Sequence, residues 1–173
     1  MKEMVRYGIV LALICIVASG LLAVVNSFTH PRIIAQAQAQ ESSVLLELLP
    51  QASRFDPVKS GEETLYYKGY GKDSQFVGVV FRASGKGYSS TIETMAGMKK
   101  DGQITAIKVI SLNETPGLGS RVAEPDFMSQ FTGKDIPGLG QVHAITGATI
   151  SSRAVISSVT KKAEEIKELI KNE

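Results

Sequence analysis

An apolar stretch without a single charge, from Gly8 to Val25, limits what this chain can fold into more than any other feature. Its 18 residues would form a helix of roughly 27 Å at about 1.5 Å per residue, close to the roughly 30 Å hydrocarbon core of a bilayer. The apolar core of a cleaved signal peptide has only about 7–15 residues, although the small residues Ala35 to Ala37 leave cleavage open as an alternative. We therefore predict a transmembrane helix over residues 7–28, preceded by residues 1–6 and followed by a tether at residues 29–40.

Positive charge is concentrated before this stretch. Lys2, Arg6 and the free amino group precede it, partly offset by Glu3, whereas Arg32 is the only strong positive charge close behind it. Positively charged flanks stay on the cytoplasmic side of a membrane. We therefore predict a single-pass protein of the inner, cytoplasmic membrane, with a cytoplasmic N-terminus and an extracytoplasmic, periplasmic-side domain at residues 41–173.

Composition excludes several kinds of site in that domain. Cys15 is the sole cysteine and lies within the apolar stretch, so the domain can form neither a disulfide nor a thiolate metal site. The two histidines, His30 and His143, are far apart in the sequence, and we predict no metal site. A formal net charge of +2, evenly distributed along the chain, does not favour a nucleic-acid-binding surface.

Hydrophobic periodicity predicts an α+β fold, an antiparallel sheet with packed helices, preceded by the one transmembrane helix. A leucine-rich segment at residues 41–49 predicts a short amphipathic helix that Pro50 ends. Strand-like runs follow at residues 64–70, 76–83, 88–98 and 104–112, with turns at 85–87 and 100–102. A short helix at 125–131 and an amphipathic helix from Ser152 complete the prediction.

A cluster of hydroxyl residues lies where the last helix begins, in the sequence ITGATISS at residues 145–152. One interpretation is an N-cap, in which Thr149, Ser151 or Ser152 accepts a hydrogen bond from a free backbone N–H group. The other is an anion site, because Gly147 and Ala148 carry little side chain and a helix N-terminus attracts phosphate. A phosphate there would lie beside the Thr149 hydroxyl, and bonding it to that hydroxyl would need a separate enzyme because threonine alone is a poor nucleophile.

A short sequence motif occurs twice before this cluster. The segment ETPGLG at residues 114–119 recurs as DIPGLG at residues 135–140. Both copies are typical of turns, and one interpretation is that they are nothing more. The other is that their glycines let the backbone approach a flat ligand. Glu114 likewise has two interpretations, a site residue or a solvated loop carboxylate.

The hydroxyl cluster, together with ETPGLG, resembles the flavinylation motif D-x-x-S-G-A-T-x-[ST] of the FMN-binding domain in RnfG, a component of the Rnf ion-translocating complex. NqrC, a component of the sodium-pumping NADH:quinone oxidoreductase, shares this motif. The resemblance covers nearly the whole chain, including the apolar N-terminal span, the segment ending in Leu49-Pro50 and the Gly85 to Tyr88 turn. Two positions differ from the motif: His143 stands in place of aspartate, and Thr146 stands in place of serine. The first difference removes a carboxylate that would contribute to recognition by the enzyme that attaches the flavin.

The resemblance implies a cofactor and its site. It implies FMN bound to Thr149 through a phosphoester bond, which a flavin transferase of the ApbE type makes from FAD with magnesium. Residues 114–119 would pack near the isoalloxazine ring, and Tyr88 would line the same pocket unless it is a core tyrosine. The cofactor-binding residues so implied are Tyr88, Glu114, Thr115, Pro116, Gly117, Leu118, Gly119, Thr146, Gly147, Ala148, Thr149, Ile150 and Ser151.

The implied function is electron transfer. By resemblance, the chain is a flavinylated subunit of a membrane-bound ferredoxin:NAD oxidoreductase complex that moves sodium ions or protons, and its partners are the other subunits. It is not a complete enzyme alone, since Gly85-Lys86-Gly87 lacks the third glycine of a dinucleotide-binding motif. The alternatives are the NqrC component of the quinone-reducing pump and a membrane-anchored scaffold or binding domain without a cofactor.

Overall fold

The computed structural model describes residues 2–61 and 63–171. Helix α1 spans Lys2–Leu48, and the chain divides into two compact units, Met1–Ser42 and Ser43–Glu173. In the first unit, the segment Glu3–His30 is long and apolar enough to cross a membrane, and none of it is buried in the structure. The predicted apolar helix is therefore present. Helix α1 also includes residues 29–48, for which we predicted a tether and a separate short helix.

The second unit contains a five-stranded antiparallel sheet in which each strand pairs with the next along the chain, in the order β1-β2-β3-β4-β5. The strands are β1 Arg54–Ser60, β2 Glu63–Tyr70, β3 Phe76–Lys86, β4 Thr91–Lys99 and β5 Ile104–Ser111. The sequence analysis did not predict β1, because Pro57 interrupts its alternation. Proline is tolerated there because β1 is an edge strand that pairs only with β2 in the described sheet.

The turn between β3 and β4 lies later in the chain than predicted. Gly85 is not part of the turn but of β3, and a Cβ atom there would collide with the carbonyl oxygen of Ala154. The glycine is therefore required by close packing of a helix on the strand. The turn occupies residues 87–90, and the Gly87 N–H donates to the Ser90 carbonyl (2.8 Å). This places Tyr88 in a turn and not in a strand.

Helices cover both faces of the sheet. Helix α2 spans Pro125–Met128, and helix α3 spans Thr149–Lys171. The apolar stripe of α3 packs with one face of β3 and β4, whereas the last turns of α1 pack with the other face. Three 3₁₀ segments, Gly119–Ala123, Ser129–Phe131 and Pro137–Gln141, fill the connection between β5 and α3. The α+β prediction is confirmed.

Candidate functional site

A cavity of about 390 Å³ lies at the N-terminal end of α3. Its walls come from the β3–β4 turn, the loop after β5 and the first turn of α3. All but three of the residues implied by the resemblance line it, and the exceptions are Pro116, Gly117 and Thr146. The lining residues are Tyr88, Glu114, Thr115, Leu118, Gly119, Gly147, Ala148, Thr149, Ile150 and Ser151.

Thr149 is the first residue of α3 and is exposed at the cavity wall. The turn before it needs Gly147, whose φ of +84° is strained for any other residue. The Ala148 N–H donates to the Ile145 carbonyl (2.9 Å), and the Ser152 N–H makes the first helical bond, to the Ala148 carbonyl (2.9 Å). Within residues 2–61 and 63–171, the Thr149 hydroxyl has no hydrogen-bond partner.

The neighbouring hydroxyls are both engaged. Ser152 Oγ accepts from the Ile145 N–H (3.0 Å) and donates to the Ala148 carbonyl (2.9 Å). Ser151 Oγ donates to Glu114 Oε2 (2.7 Å). The N-cap interpretation was therefore wrong, because none of the three hydroxyls accepts from the first turn of α3. In the described chain, the N–H groups of residues 149–151 have no acceptor and remain available to an anion.

Glu114 is 7% exposed, which excludes the solvated loop carboxylate. Its Oε1 accepts from the Ser89 N–H (2.9 Å) and the Ser90 N–H (2.8 Å). Burial by itself raises the pKa of the Glu114 carboxyl, but hydrogen bonds from the Ser151 hydroxyl and the backbone of residues 88–90 outweigh it and hold the pKa below its ordinary value of 4.5. The carboxylate is therefore ionised at neutral pH.

Apolar side chains surround the mouth of the cavity. Tyr88 is 73% exposed, Ile150 55% and Leu118 50%, so the alternative of a core tyrosine was wrong. An exposed group of large apolar residues is unusual on a soluble domain and is typical of a binding site. The cavity thus combines an apolar mouth with backbone N–H groups at a helix terminus that have no acceptor among the described residues.

The two copies of the Pro-Gly-Leu-Gly motif have different roles. Leu118 in the first copy lines the cavity, whereas Leu139 in the second is fully buried in the core. Asp135, the counterpart of Glu114, accepts a hydrogen bond from the Gly138 N–H (3.0 Å), a local turn contact. The second copy therefore forms a turn and part of a 3₁₀ segment outside the cavity, whereas the first copy forms part of the site.

His143 is exposed and does not line the cavity. Its backbone N–H donates to Gln130 Oε1 (2.9 Å). The sequence analysis did not identify Ser89 and Ser90 as site residues. No local sequence pattern indicates this role, because the two serines bond to a residue 25 and 24 positions away, Glu114.

Comparison with known proteins identifies the family. Residues 87–164 match the FMN-binding domain, and residues 1–48 match the RnfG N-terminal region. The G subunit of the ion-translocating oxidoreductase complex of Methanosarcina acetivorans is 34% identical over 174 residues, which cover 91% of this chain and 92% of that protein. The G subunit of a proton-translocating ferredoxin:NAD(+) oxidoreductase complex from Clostridium ljungdahlii is 30% identical over 166 residues, covering 90% and 88% of the two chains.

The fold has a counterpart among solved structures. The crystal structure of Shewanella oneidensis NqrC matches with a TM-score of 0.54 and 21% sequence identity, over 72% of this chain and 74% of that chain. At this identity the match concerns the fold alone. The extended sequence matches show that the chain belongs to the RnfG family of ion-translocating oxidoreductase complexes and contains an FMN-binding domain.

Proposed function

We propose that this chain is a covalently flavinylated electron-transfer subunit of a ferredoxin:NAD oxidoreductase complex that moves ions, with FMN bound to Thr149 through a phosphoester. One observation carries the proposal. Within the segment that matches the FMN-binding domain, Thr149 presents an exposed hydroxyl without a hydrogen-bond partner among the described residues, at the wall of a cavity of about 390 Å³.

The cavity suits both the phosphate and the flat ring of FMN. A phosphate on Thr149 would lie at the N-terminus of the 23-residue helix α3, near the N–H groups of residues 149–151, which have no acceptor in the described part of the chain. A flat aromatic ring fits an apolar mouth formed by Tyr88, Leu118 and Ile150. The volume lies within the range of about 300–1,000 Å³ that is usual for ligand pockets.

Attachment requires an external enzyme. Thr149 Oγ1 would form a bond to the phosphorus atom of the FMN half of FAD while the pyrophosphate P–O bond breaks, so that AMP leaves and the hydroxyl proton passes to a base. Among the described residues that line the cavity, Glu114 alone carries a carboxylate, and both of its oxygens already accept hydrogen bonds. A flavin transferase of the ApbE type, with magnesium, therefore has to supply the base.

Bound FMN would supply one- and two-electron chemistry. The chain's own residues would attach the cofactor at Thr149, orient its ring with the apolar mouth and hold an ionised carboxylate, Glu114, nearby. Covalent attachment suits a domain outside the cytoplasm, where lost FMN is not readily replaced.

The same proposal assigns partners and location. Electrons would pass between ferredoxin and NAD⁺ through other subunits of the complex, as the name of the Clostridium ljungdahlii relative indicates for that protein. The chain would cross the inner membrane once, through Glu3–His30, with residues 41–173 on the periplasmic side. The rival assignment to the quinone-reducing pump has weaker support, since the Shewanella oneidensis NqrC structure is 21% identical whereas the Methanosarcina acetivorans relative reaches 34%.

Intact-mass measurement with peptide mapping tests the attachment. Full-length chain co-expressed with the transferase is expected to gain the mass of FMN less one water on the peptide that contains Thr149. Thr149→Ala should abolish the gain, and Thr149→Ser should retain part of it because it keeps a hydroxyl. Thr160→Ala, the same change further along α3, is the matched control and should be modified like wild type.

Two results would contradict the proposal. The first is a colourless wild-type chain whose mass does not change in the presence of an active transferase, which would favour the cofactor-free scaffold. The second is modification that persists in Thr149→Ala, which would place the bond on another residue.

A further inference from the structure

Glu114 makes contacts that a ligand-binding carboxylate would not need. Oε1 accepts from the N–H groups of Ser89 and Ser90, and the Ser90 hydroxyl lies 3.4 Å from the same oxygen. Oε2 accepts from Ser151 Oγ at 2.7 Å. Both oxygens are therefore used within the protein, and the side chain has little hydrogen-bonding capacity left for a cofactor.

Two glycines beside the Glu114 carboxylate leave the space that it needs. A Cβ atom at Gly119 would collide with Glu114 Oε2 and would lie 2.8 Å from Ser151 Oγ. At Gly87, a Cβ atom would lie 2.6 Å from Glu114 Oε1. Both glycines thus give the carboxylate the space that it occupies.

The contacts of Glu114 join two of the three walls of the cavity, the β3–β4 turn and the first turn of α3. Ser89 and Ser90 directly follow Tyr88 in the β3–β4 turn, and Ser151 lies two residues after Thr149 in the first turn of α3. The Asn113 N–H donates to Ser90 Oγ (2.9 Å), which ties the loop after β5 to the same turn. Glu114 is the one side chain among those described that bonds to both walls.

We propose that Glu114 is a positioning residue: through Ser151 it fixes the first turn of α3 against the turn that carries Tyr88, and so fixes the direction in which Thr149 presents its hydroxyl. The inference rests on the proposed function, because it assigns the consequence to flavin attachment at Thr149. Hydrogen bonds to an ionised acceptor are about twice as strong as neutral ones, which suits a group that must hold two segments in place.

The first experiment measures the rate of flavinylation of the full-length chain in detergent, with purified transferase, FAD and Mg²⁺, from the change in intact mass. Ser151→Ala removes the hydrogen bond to Glu114 Oε2 and leaves Thr149 unchanged. We expect it to slow modification about tenfold or more, since misplacement of a reacting group by about 1 Å costs roughly a hundredfold in rate. Ser157→Ala, on the same helix but away from Glu114, should react at the wild-type rate.

Substitution of Glu114 itself separates geometry from charge. In Glu114→Gln, the amide oxygen can accept from the two backbone N–H groups and the amide nitrogen can donate to Ser151 Oγ, so modification should stay within about threefold of wild type. Glu114→Ala loses the hydrogen bonds to both the β3–β4 turn and Ser151, so its flavinylation should be at least as slow as that of Ser151→Ala. Wild-type rates in Ser151→Ala, or equal loss in the Gln and Ala variants, would overturn the proposal.

The second experiment needs no flavin. Hydrogen–deuterium exchange of unmodified full-length chain should become faster in Ser151→Ala in peptides covering both residues 87–90 and residues 149–152, because the two segments are held by one carboxylate. Faster exchange in only one segment would contradict the positioning role. If exchange changes in both segments but wild type is never flavinylated, the positioning role holds and the proposed function fails.

Discussion

Three hydroxyl residues in the first turn of α3 have three different environments. Ser152 bonds to the backbone of the preceding loop, Ser151 bonds to Glu114, and Thr149 lacks a hydrogen-bond partner in the part of the chain described. Ser151 and Ser152 are buried, at 1% and 0% exposed, whereas Thr149 is exposed at the cavity wall. An external enzyme can therefore reach the Thr149 hydroxyl more readily than either serine, which favours Thr149 for chemistry and the two serines for structure.

Glu114 is stabilised by hydrogen bonds and not by an ion pair, since none of the described residues forms a salt bridge with it. Its pKa is lower in the folded than in the unfolded protein, so its ionised form stabilises the fold. That contribution is fully present above the ordinary pKa of 4.5, which applies in the unfolded chain, and is lost as the pH falls through the lower folded value.

A pH series of thermal unfolding, with wild type and Glu114→Gln, measures this contribution. We expect wild type to have the higher Tm at neutral pH and the difference to narrow below about pH 4, as protons bind the carboxylate. Glu124→Gln, at an exposed position paired with Arg121, is the control and should shift Tm little at any pH. A difference that widens with acidification would contradict the assignment.

At the scale of elements, β3 and β4 occupy the centre of the domain and are buried on both faces. Consecutive residues Val79, Val80 and Phe81 of β3 are all 0% exposed, because α3 covers one face and the end of α1 the other. Alternation of apolar and polar residues is therefore lost there, as in other sheets covered on both sides. The position of α3 on this sheet is what brings its first turn to the β3–β4 turn.

One buried hydroxyl of β4 has no hydrogen-bond partner among the described residues. Thr94 of β4 is 0% exposed, and its hydroxyl is the one buried side-chain polar atom among the described residues without a hydrogen bond. Burying an unbonded hydroxyl costs roughly 1–3 kcal/mol. Thr94→Val keeps the shape and removes the hydroxyl, so we expect the free energy of unfolding to rise by about 1 kcal/mol.

Denaturant unfolding of the full-length chain compares this variant with Thr91→Val, the same change at an exposed position of β4. The control should stay within about 0.5 kcal/mol of wild type. A loss of stability in Thr94→Val would mean that the hydroxyl is satisfied in solution.

At the scale of the whole molecule, the cavity belongs entirely to the unit Ser43–Glu173, and the apolar segment Glu3–His30 belongs to the unit Met1–Ser42. The candidate membrane span and the candidate cofactor site thus lie in different parts of the chain. The site itself assembles from three segments, since Glu114 bonds to residues 24, 25 and 37 positions away.

Orientation is the prediction that belongs to this scale. Trypsin added to right-side-out membrane vesicles should cleave within residues 43–173, which carry many lysines and arginines, and should leave this unit intact in inside-out vesicles. A cytoplasmic marker protein trapped in the right-side-out vesicles must stay intact as the control. Cleavage of the unit only in inside-out vesicles would reverse the assigned topology.

The sequence by itself determined the features that depend on neighbouring residues. The apolar span, the β2 to β5 strands, the final helix and the T-G-A-T turn follow from composition, periodicity and glycine positions, all of which act over a few residues. The family also followed, because ETPGLG and TGAT lie at a characteristic distance from each other. Strand boundaries were less accurate, since Gly85 is a glycine for packing against α3 and not for a turn.

Only the tertiary structure decided how the site is arranged. Strand β1, with Pro57, belongs to the sheet because β2 pairs with it, and Glu114 is buried because the β3–β4 turn and α3 meet around it. The hydroxyls of Thr149 and Ser151 are both plausible caps in the sequence, but Thr149 is exposed without a hydrogen-bond partner among the described residues, whereas Ser151 is buried and bonded to a carboxylate 37 residues away. Contacts of that separation leave no local pattern, because they arise from packing of whole elements against each other.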